Sequence, residues 1–177
     1  MKINNIKYLI VGLGIFLFSN CDSMPEPEIE HSPIWPLAGE WLTHVYNEDG
    51  TVAEGTVTED TPWGTLFALR TYNTSDNVSD KAWIRLGTTQ GAAVWGKVDC
   101  NPSEKIFSGS NIANELKTGQ TFTIIEGKVM LNATTLQHHG ASGVTTDSIY
   151  IRYTSSSNNR TYIVKGHRTT HFLEDNY

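Results

Sequence analysis

The segment that closes the chain, residues 163–177, reads IVKGHRTTHFLEDNY and is dense in groups that could do chemistry. Imidazoles and carboxylates are the groups of zinc sites and acid–base pairs, and the segment offers His167, Arg168, His171, Glu174 and Asp175. On a helix, the spacing of His167 and His171 would place both imidazoles on one face. On a strand, their α-carbons lie roughly 13 Å apart, too far for one zinc ion that binds imidazole nitrogen at about 2.1 Å. The secondary structure of this segment therefore decides whether it can hold a metal.

Residues 160–172 (RTYIVKGHRTTHF) have the pattern of a strand, because threonine, tyrosine, isoleucine and valine fit a pleated surface. The more apolar of its two faces, which should point inward, carries Tyr162, Val164, Gly166, Arg168, Thr170 and Phe172. His167 and His171 then lie on the outer face, where a structural or solvated role is expected and no metal site is predicted. Arg168 is the exception, an inward charge that must be paired or stacked because desolvating it alone is costly.

A partner for Arg168 stands near the start of the domain, in Gly39-Glu40-Trp41. This tripeptide resembles the Gly-x-Trp signature that opens the first strand of lipocalins and other calycins. The resemblance implies that an arginine of the last strand packs across the tryptophan at the closed end of a barrel. We predict that Arg168 packs on Trp41 in this structural role, where a cation over an indole face contributes about 0.5–2 kcal/mol.

Three further groups of reactive side chains give weaker signals. Adjacent histidines point apart in an extended chain, so His138-His139 is predicted to lie in a loop. The segment HGASGV misses the Gly-x-Ser-x-Gly nucleophile elbow by one position, and Ser142 has no assignable base. Asp147-Ser148 precedes an apolar strand and either forms a turn or supplies half of a triad with a distant histidine. No catalytic residue, metal ligand or cofactor is predicted from these groups.

The elements that would position these residues are short strands rich in β-branched and aromatic side chains, separated by clusters of Gly, Ser, Asn and Asp. One helical turn is predicted, at 111–119. The predicted strands cover residues 41–46, with a hairpin turn at 47–50 and a continuation from 51, then 65–73, 81–86, 92–98, 104–109, 121–132, 147–153 and 160–172. Consecutive hairpins close naturally into a barrel, so the predicted fold is all-β, a lipocalin- or calycin-like antiparallel up-and-down barrel of about eight strands.

Large side chains on these strands are candidates for a ligand-lining surface. They are Phe67, Leu69, Trp83, Trp95, Ile149, Ile151 and Tyr153. A barrel of eight strands lies at the boundary between a filled and a hollow interior. The sequence therefore leaves open whether these side chains surround an apolar ligand or fill the interior, and the indoles of Trp83 and Trp95 would also suit a sugar.

Residues 1–20 have the form of a bacterial export signal. Lysines precede an eleven-residue apolar run, YLIVGLGIFLF at 8–18, which is shorter than the roughly 20 residues that span a bilayer. The Ser-Asn-Cys that follows resembles a lipobox, so Cys21 is predicted to carry a lipid anchor. Residues 21–36 hold four prolines and four acids and are predicted to be an extended tether to a barrel domain at 37–177.

The charge balance narrows the choice of partners. Removal of the signal would take away two of the 13 basic side chains and leave 11 against 19 acidic ones. Phosphate binding requires clustered Lys and Arg, so no nucleic-acid partner is predicted, and membrane attachment would depend on the lipid at Cys21. The acids behind Cys21 resemble the surface-export signal of Bacteroidota lipoproteins, which would place the domain of an outer-membrane lipoprotein outside the cell. Acidic linkers also occur as plain solvated spacers, so the sequence leaves the periplasmic face open as well. Once Cys21 is acylated, Cys100 has no disulfide partner, and its neighbour Asp99 disfavours a reactive thiolate.

Five segments spread over the domain carry a resemblance to a known family: LAGEWLTHVYNEDG (37–50), TYNTSDNVSDKAWI (71–84), EGKVMLNAT (126–134), TTDSIYIRY (145–153) and KGHRTTHFLED (165–175). They resemble the lipid-binding putative hydrolases, Bacteroidota lipoproteins with a lipocalin-like barrel. The resemblance implies a calycin-type barrel on a lipid anchor that holds an apolar ligand. Non-enzymatic binding of a small, lipid-like ligand is favoured. The alternatives are a hydrolase of unknown substrate and a packed barrel whose loops bind a protein or a glycan.

Overall fold

Alternating apolar and polar side chains produce strands along most of the chain. The computed structural model describes residues 30–59, 62, 64–88, 91–136 and 143–170. The strands within them are β1 (Gly39–Asn47), β2 (Phe67–Asn73), β3 (Lys81–Leu86), β4 (Val94–Asn101), β5 (Ile106–Ala113), β6 (Thr121–Thr135), β7 (Thr145–Ser155) and β8 (Arg160–Arg168).

Each strand pairs antiparallel with its neighbour in sequence, and β1 also pairs with β8, so that the sheet closes into a barrel. Closure pairs the backbone groups of both edge strands and leaves no open edge for association with other chains. The all-β up-and-down barrel predicted from the sequence is thereby confirmed.

Two short elements differ from the sequence prediction. The helical turn predicted at 111–119 is wrong, because Ile112 packs against the core and keeps residues 111–113 within β5. The strand predicted to resume at residue 51 shrinks to one isolated bridge at Val52. Beyond this bridge the chain leaves the sheet and returns to it at the start of β2.

Inward-pointing side chains from all eight strands fill the interior of the barrel. The largest of those that are almost completely buried are Trp41, Tyr153, Phe122, Leu69, Ile84, Leu86 and Ile149. Full burial of an aliphatic or aromatic side chain contributes about 1.5–3 kcal/mol, so this core supplies most of the driving force for folding.

The connections between strands define two ends of the barrel. The start of β1, the end of β8 and the β6–β7 connection lie at one end, which we call the closed end. The β1–β2 connection, residues 48–66, lies at the opposite end with the connections 87–93, 114–120 and 156–159. We call this end the mouth and residues 48–66 the mouth loop, because it is the longest connection there.

The compact unit that contains the barrel begins at His31 and includes residues assigned from the sequence to the tether. The tether predicted over 21–36 therefore ends earlier, because Ile34 is completely buried with Leu37 in the core. The predicted export signal and lipidated cysteine lie outside the described residues. Within the described residues, no helix has the length and apolar character needed to cross a membrane.

Candidate functional site

Arg168 lies at the closed end, directly opposite Trp41 in the register of β8 and β1. Its guanidinium carbon is 4.2 Å from the centroid of the Trp41 ring and 5.3 Å from that of Trp35. The indole of Trp41 is buried, and its Nε1 donates to Thr71 Oγ1 at 2.9 Å. This is the contact that the Gly-x-Trp resemblance implies, with Trp35 as a second aromatic surface that the sequence did not indicate.

Every branch of the Arg168 guanidinium has a protein acceptor. Nε donates to Asp147 Oδ2 at 2.9 Å, Nη1 to Ala38 O at 2.6 Å and Nη2 to Pro36 O at 2.7 Å. These bonds tie β8 to β7 and to the segment before β1. The side chains of the ion pair are only 18% and 15% exposed, so each charge depends on the other for compensation. All three nitrogens of the guanidinium are thus engaged by protein acceptors.

The residues that offered half of a triad are placed on opposite faces of β7. Asp147 points inward to Arg168, whereas Ser148 lies opposite His167 in the β7–β8 register. The Ser148 hydroxyl is hydrogen bonded to Thr134 Oγ1, and His167 Nε2 is buried with no hydrogen-bond partner among the described residues. A nucleophile and its base need a hydrogen bond of about 2.6–3.2 Å, so this serine and histidine are neighbours but are not engaged with each other.

Two histidines meet on the outer face of β1 and β8. Burial lowers the pKa of His44 and of His167 below 6.5, and the charge of His44 lowers that of His167 further. Burial thus favours the neutral form of both imidazoles. Among the described residues, no group of three or more His, Cys, Asp or Glu could hold a metal ion. The histidines at 138–139, Ser142 and His171 lie outside the described residues.

A small cavity lies inside the barrel and is lined by apolar side chains: Leu69, Ile84, Leu86, Val94, Phe122, Ile124, Ile151, Tyr153 and Val164. The volume open to the centre of a water-sized sphere is about 10 Å³. That is room for about one water molecule. In this conformation the interior is packed and does not accommodate a lipid chain.

Five of the candidate ligand-lining residues point into the barrel. Leu69, Ile151 and Tyr153 line the cavity itself. Ile149 belongs to the packed core and the partly buried Phe67 packs against that core, and neither contributes to the cavity lining. Side-chain size thus selected five inward positions, but it could not distinguish a cavity wall from a filled core.

Trp83 and Trp95 lie on the outer face, which corrects the prediction that they line a ligand cavity. Strand alternation gives the inward positions of β3 and β4 to smaller apolar side chains and leaves both indoles half-buried outside. The two ring centroids are 5.7 Å apart, and Trp95 Nε1 donates to Tyr72 Oη at 2.8 Å. Lys97 lies over Trp83 and Arg85 over Trp95, 5.6 and 5.3 Å from the ring centroids. Such cross-strand pairs stabilise a sheet by roughly 0.2–1 kcal/mol each.

A connected set of polar groups adjoins the cavity at the mouth. Glu54 of the mouth loop is 3% exposed, and its Oε1 accepts a hydrogen bond from Ala92 N at 2.6 Å. The hydroxyl of Tyr153, whose ring lines the cavity, donates to Ala92 O. Burial, and then the charge of Glu54, raise the pKa of Tyr153 well above its ordinary value, so the phenol keeps its proton. Close by, Asn158 Nδ2 donates to Tyr162 Oη at 2.7 Å.

Glu54 and the pairing of Asp147 with Arg168 were not predicted from the sequence. Asp147 carried a usable signal, because it shares the inward face of β7 with Ile149 and Ile151. Glu54 carried a weaker one, an acid between an alanine and a glycine in a polar loop. Its burial depends on the path of the mouth loop, which no local periodicity predicts.

The fold and these contacts define the class of the protein. A closed antiparallel barrel of eight strands, with an apolar interior and an arginine packed on a tryptophan at one end, is a lipocalin-like up-and-down barrel. The family model of the lipid-binding putative hydrolases matches residues 26–173. The chain belongs to this family. A search of curated proteins finds no significant match to the chain.

Proposed function

We propose that this protein is a lipid-anchored lipoprotein of the cell envelope whose barrel binds a small apolar, lipid-like ligand beneath the mouth loop. The observation that carries the proposal is the cavity lining, which offers apolar surface from nine side chains. An apolar ligand that covers such a surface gains about 25 cal/mol for each Å² removed from water. Membership of a lipid-binding family supports the same class of ligand.

Ligand entry requires the barrel to open, because a cavity of about 10 Å³ is far smaller than the roughly 300–1,000 Å³ of small-molecule sites. The mouth loop is the element placed to open. Its attachments to β1 include the bridge between Tyr46 and Val52 and the hydrogen bond from Ala53 N to Val45 O. Segments with few ladder hydrogen bonds open at low free energy. Displacement of this loop would therefore expose the cavity while the strand pairing of the barrel persists.

The location depends on the N-terminal region. The apolar run at 8–18 and the lipobox-like Cys21 support export and acylation, and the acids that follow support transfer to the outer membrane. The bilayer is then the partner that retains the protein, on its periplasmic or extracellular face. Labelling cells with radioactive palmitate should label the protein, and Cys21→Ser should abolish that label.

The ligand is tested by denaturing the protein purified from its natural host and identifying the released small molecules by mass spectrometry. An apolar compound should be recovered in a constant molar ratio. Ile84→Phe, which fills the cavity, should lose it, whereas Ile163→Phe on the outer face of β8 should retain it. Circular dichroism would establish that both variants fold. Repeated preparations that release no apolar compound would contradict the proposal.

A hydrolase is the second candidate, and the observation that favours it is the placement of Ser148 opposite a neutral His167. Activity would require the serine hydroxyl to leave Thr134 and engage the imidazole. A fluorophosphonate probe tests this directly. Ser148 is established as a nucleophile if the label disappears in Ser148→Ala and persists in the neighbouring Thr146→Ala. A wild-type protein that the probe does not label would exclude this role.

A further inference from the structure

Building on the proposed apolar ligand, we infer that this ligand ends in a hydroxyl group and that Glu54 is the acceptor that recognises it. The polar groups of this site lie where the mouth loop meets the β3–β4 connection. They would select, among apolar ligands, one chemical class, the neutral lipid alcohols.

Glu54 is a buried carboxylate with one oxygen engaged and one oxygen free. Oε1 accepts from Ala92 N at 2.6 Å, while Oε2 is buried and has no hydrogen-bond partner among the described residues. The side chain as a whole is 3% exposed. A buried acceptor without a donor is unfavourable, so a group that donates to Oε2 is bound more tightly than one that cannot.

The carboxylate is connected to the cavity through one residue. Ala92 donates its N–H to Glu54 and accepts the hydroxyl of Tyr153 at its carbonyl, and the ring of Tyr153 lines the cavity. A chain that occupies an enlarged cavity would therefore bring its polar end to these groups. The proton of Tyr153 is already donated to Ala92, so this phenol does not donate to the ligand. A carboxylate accepts more strongly than a phenol oxygen, and we therefore assign Glu54 as the acceptor.

The neighbouring tyrosine completes a site for a hydroxyl group. Tyr162 is buried, and its Oη accepts from Asn158 Nδ2, so its own proton remains for a ligand oxygen. In the proposed complex the ligand hydroxyl donates to Glu54 and accepts from Tyr162, whose Oη lies at the same connection, 2.9 Å from where a Cβ at Gly91 would be. A methyl ether can only accept, and it would leave the carboxylate oxygen unpaired.

A free fatty acid fits this environment poorly. Its carboxylate would lie close to that of Glu54, and like charges at short range in a buried site repel strongly. Arg168, on the inward face of β8, lies at the closed end, and its three guanidinium nitrogens already donate to protein acceptors. It is therefore not placed to pair with an acidic head group at the mouth.

Three ligands of equal chain length separate these possibilities: decanol, decyl methyl ether and decanoate. Their affinities would be measured by competition with a fluorescent apolar probe, using the mature chain from residue 21 with Cys21→Ser. Wild-type protein should bind decanol at least about tenfold more tightly than the other two. Glu54→Gln replaces the free acceptor with an N–H donor, so the preference for decanol should fall below about threefold and decanoate should gain affinity. Glu59→Gln, an exposed acid of the same loop, should behave as wild type.

The outcomes distinguish this inference from the proposed function. Equal binding of all three ligands by the wild type, or a uniform loss for all three in Glu54→Gln, would overturn the inference while the apolar site stands. Displacement of the probe by none of the ligands would overturn both. Decanol selectivity that Glu54→Gln abolishes and Glu59→Gln preserves would support both.

Discussion

Arg168 and Trp41 are register partners across the seam where the last strand meets the first, with the guanidinium carbon 4.2 Å from the centroid of the indole. The same guanidinium bonds to Asp147 and to carbonyl groups of the segment before β1. One side chain therefore links the end of β8 and the segment before β1 to the neighbouring strand β7. We regard this cluster as the structural closure of the barrel.

Removal of the guanidinium should destabilise the fold strongly. Arg168→Met leaves the mostly buried Asp147 without a counter-charge, and breaking such a pair should lower the free energy of unfolding by about 3 kcal/mol. The double variant Arg168→Met with Asp147→Leu should recover part of that loss, because no unpaired charge remains. Guanidinium chloride unfolding would measure both values.

The matched control is Arg70→Met. Its partner Glu40 forms an ion pair at 2.5 Å whose side chains are 53% and 42% exposed, so the loss should be at most about 1 kcal/mol. Equal losses for Arg168→Met and Arg70→Met would contradict the closure role.

Gly166 should be irreplaceable even by alanine. A Cβ at this position would lie 1.9 Å from Leu42 O and 2.7 Å from Thr43 Cα, both backbone atoms of β1 that cannot move aside without opening the β1–β8 seam. Gly166→Ala should cost about 1–3 kcal/mol or more. Gly87→Ala is the control, since the nearest neighbour of its Cβ would be 4.0 Å away. Thermal unfolding should show a large decrease in Tm for the first variant and a small change for the second.

Cys100 should make the protein sensitive to alkaline pH. Burial, with help from the charges of Asp80 and Asp99, raises its thiol pKa from 9.0 to about 11. As the pH rises, the thiol ionises in the unfolded chain before it ionises in the folded one. The contribution of Cys100 to the free energy of unfolding is therefore complete below about pH 9 and is lost by about pH 11. Cys100→Ala should weaken this pH dependence of the unfolding free energy. Identical profiles for Cys100→Ala and wild type would contradict the assignment.

The paired histidines should contribute to acid sensitivity. Burial lowers the pKa of His44 and His167, so below their ordinary value of 6.5 the unfolded chain takes up protons before the folded one. The contribution of the two neutral histidines to the free energy of unfolding is present above pH 6.5. It is lost as the pH falls through their lowered pKa in the folded protein. His167→Gln should reduce the slope of unfolding free energy against pH in this range. An unchanged slope in His167→Gln would contradict this prediction.

Much of the barrel could be predicted because strand periodicity and turn chemistry are local. The strand at Lys81–Leu86 matches its prediction, and the inward position of Arg168 follows from alternation along β8. Trp83 was wrongly predicted because its size suggested that it lines a ligand cavity. Its position in the alternation of β3, on the same face as Lys81 and Arg85, places it on the outer face.

The rest depends on contacts that are distant in sequence. Glu54 is buried because the mouth loop crosses to Ala92, 38 residues further along, and no local pattern encodes that contact. The same holds for Ile34, which reads as part of a proline-rich linker but packs in the core. The free volume inside the barrel is also set by the joint packing of all strands, so the sequence could not decide between a filled and a hollow interior.

The central claim, that the interior receives the ligand, is tested most directly by methyl NMR of isoleucine-labelled protein during titration with decanol. We expect large changes in chemical shift for Ile84 and Ile151, which line the cavity, and small changes for Ile106 and Ile125, which are exposed outside. All four methyl groups are observed in one spectrum, so the outer pair serves as the internal control. Changes confined to the outer pair, with Ile84 and Ile151 unaffected at saturation, would contradict the claim.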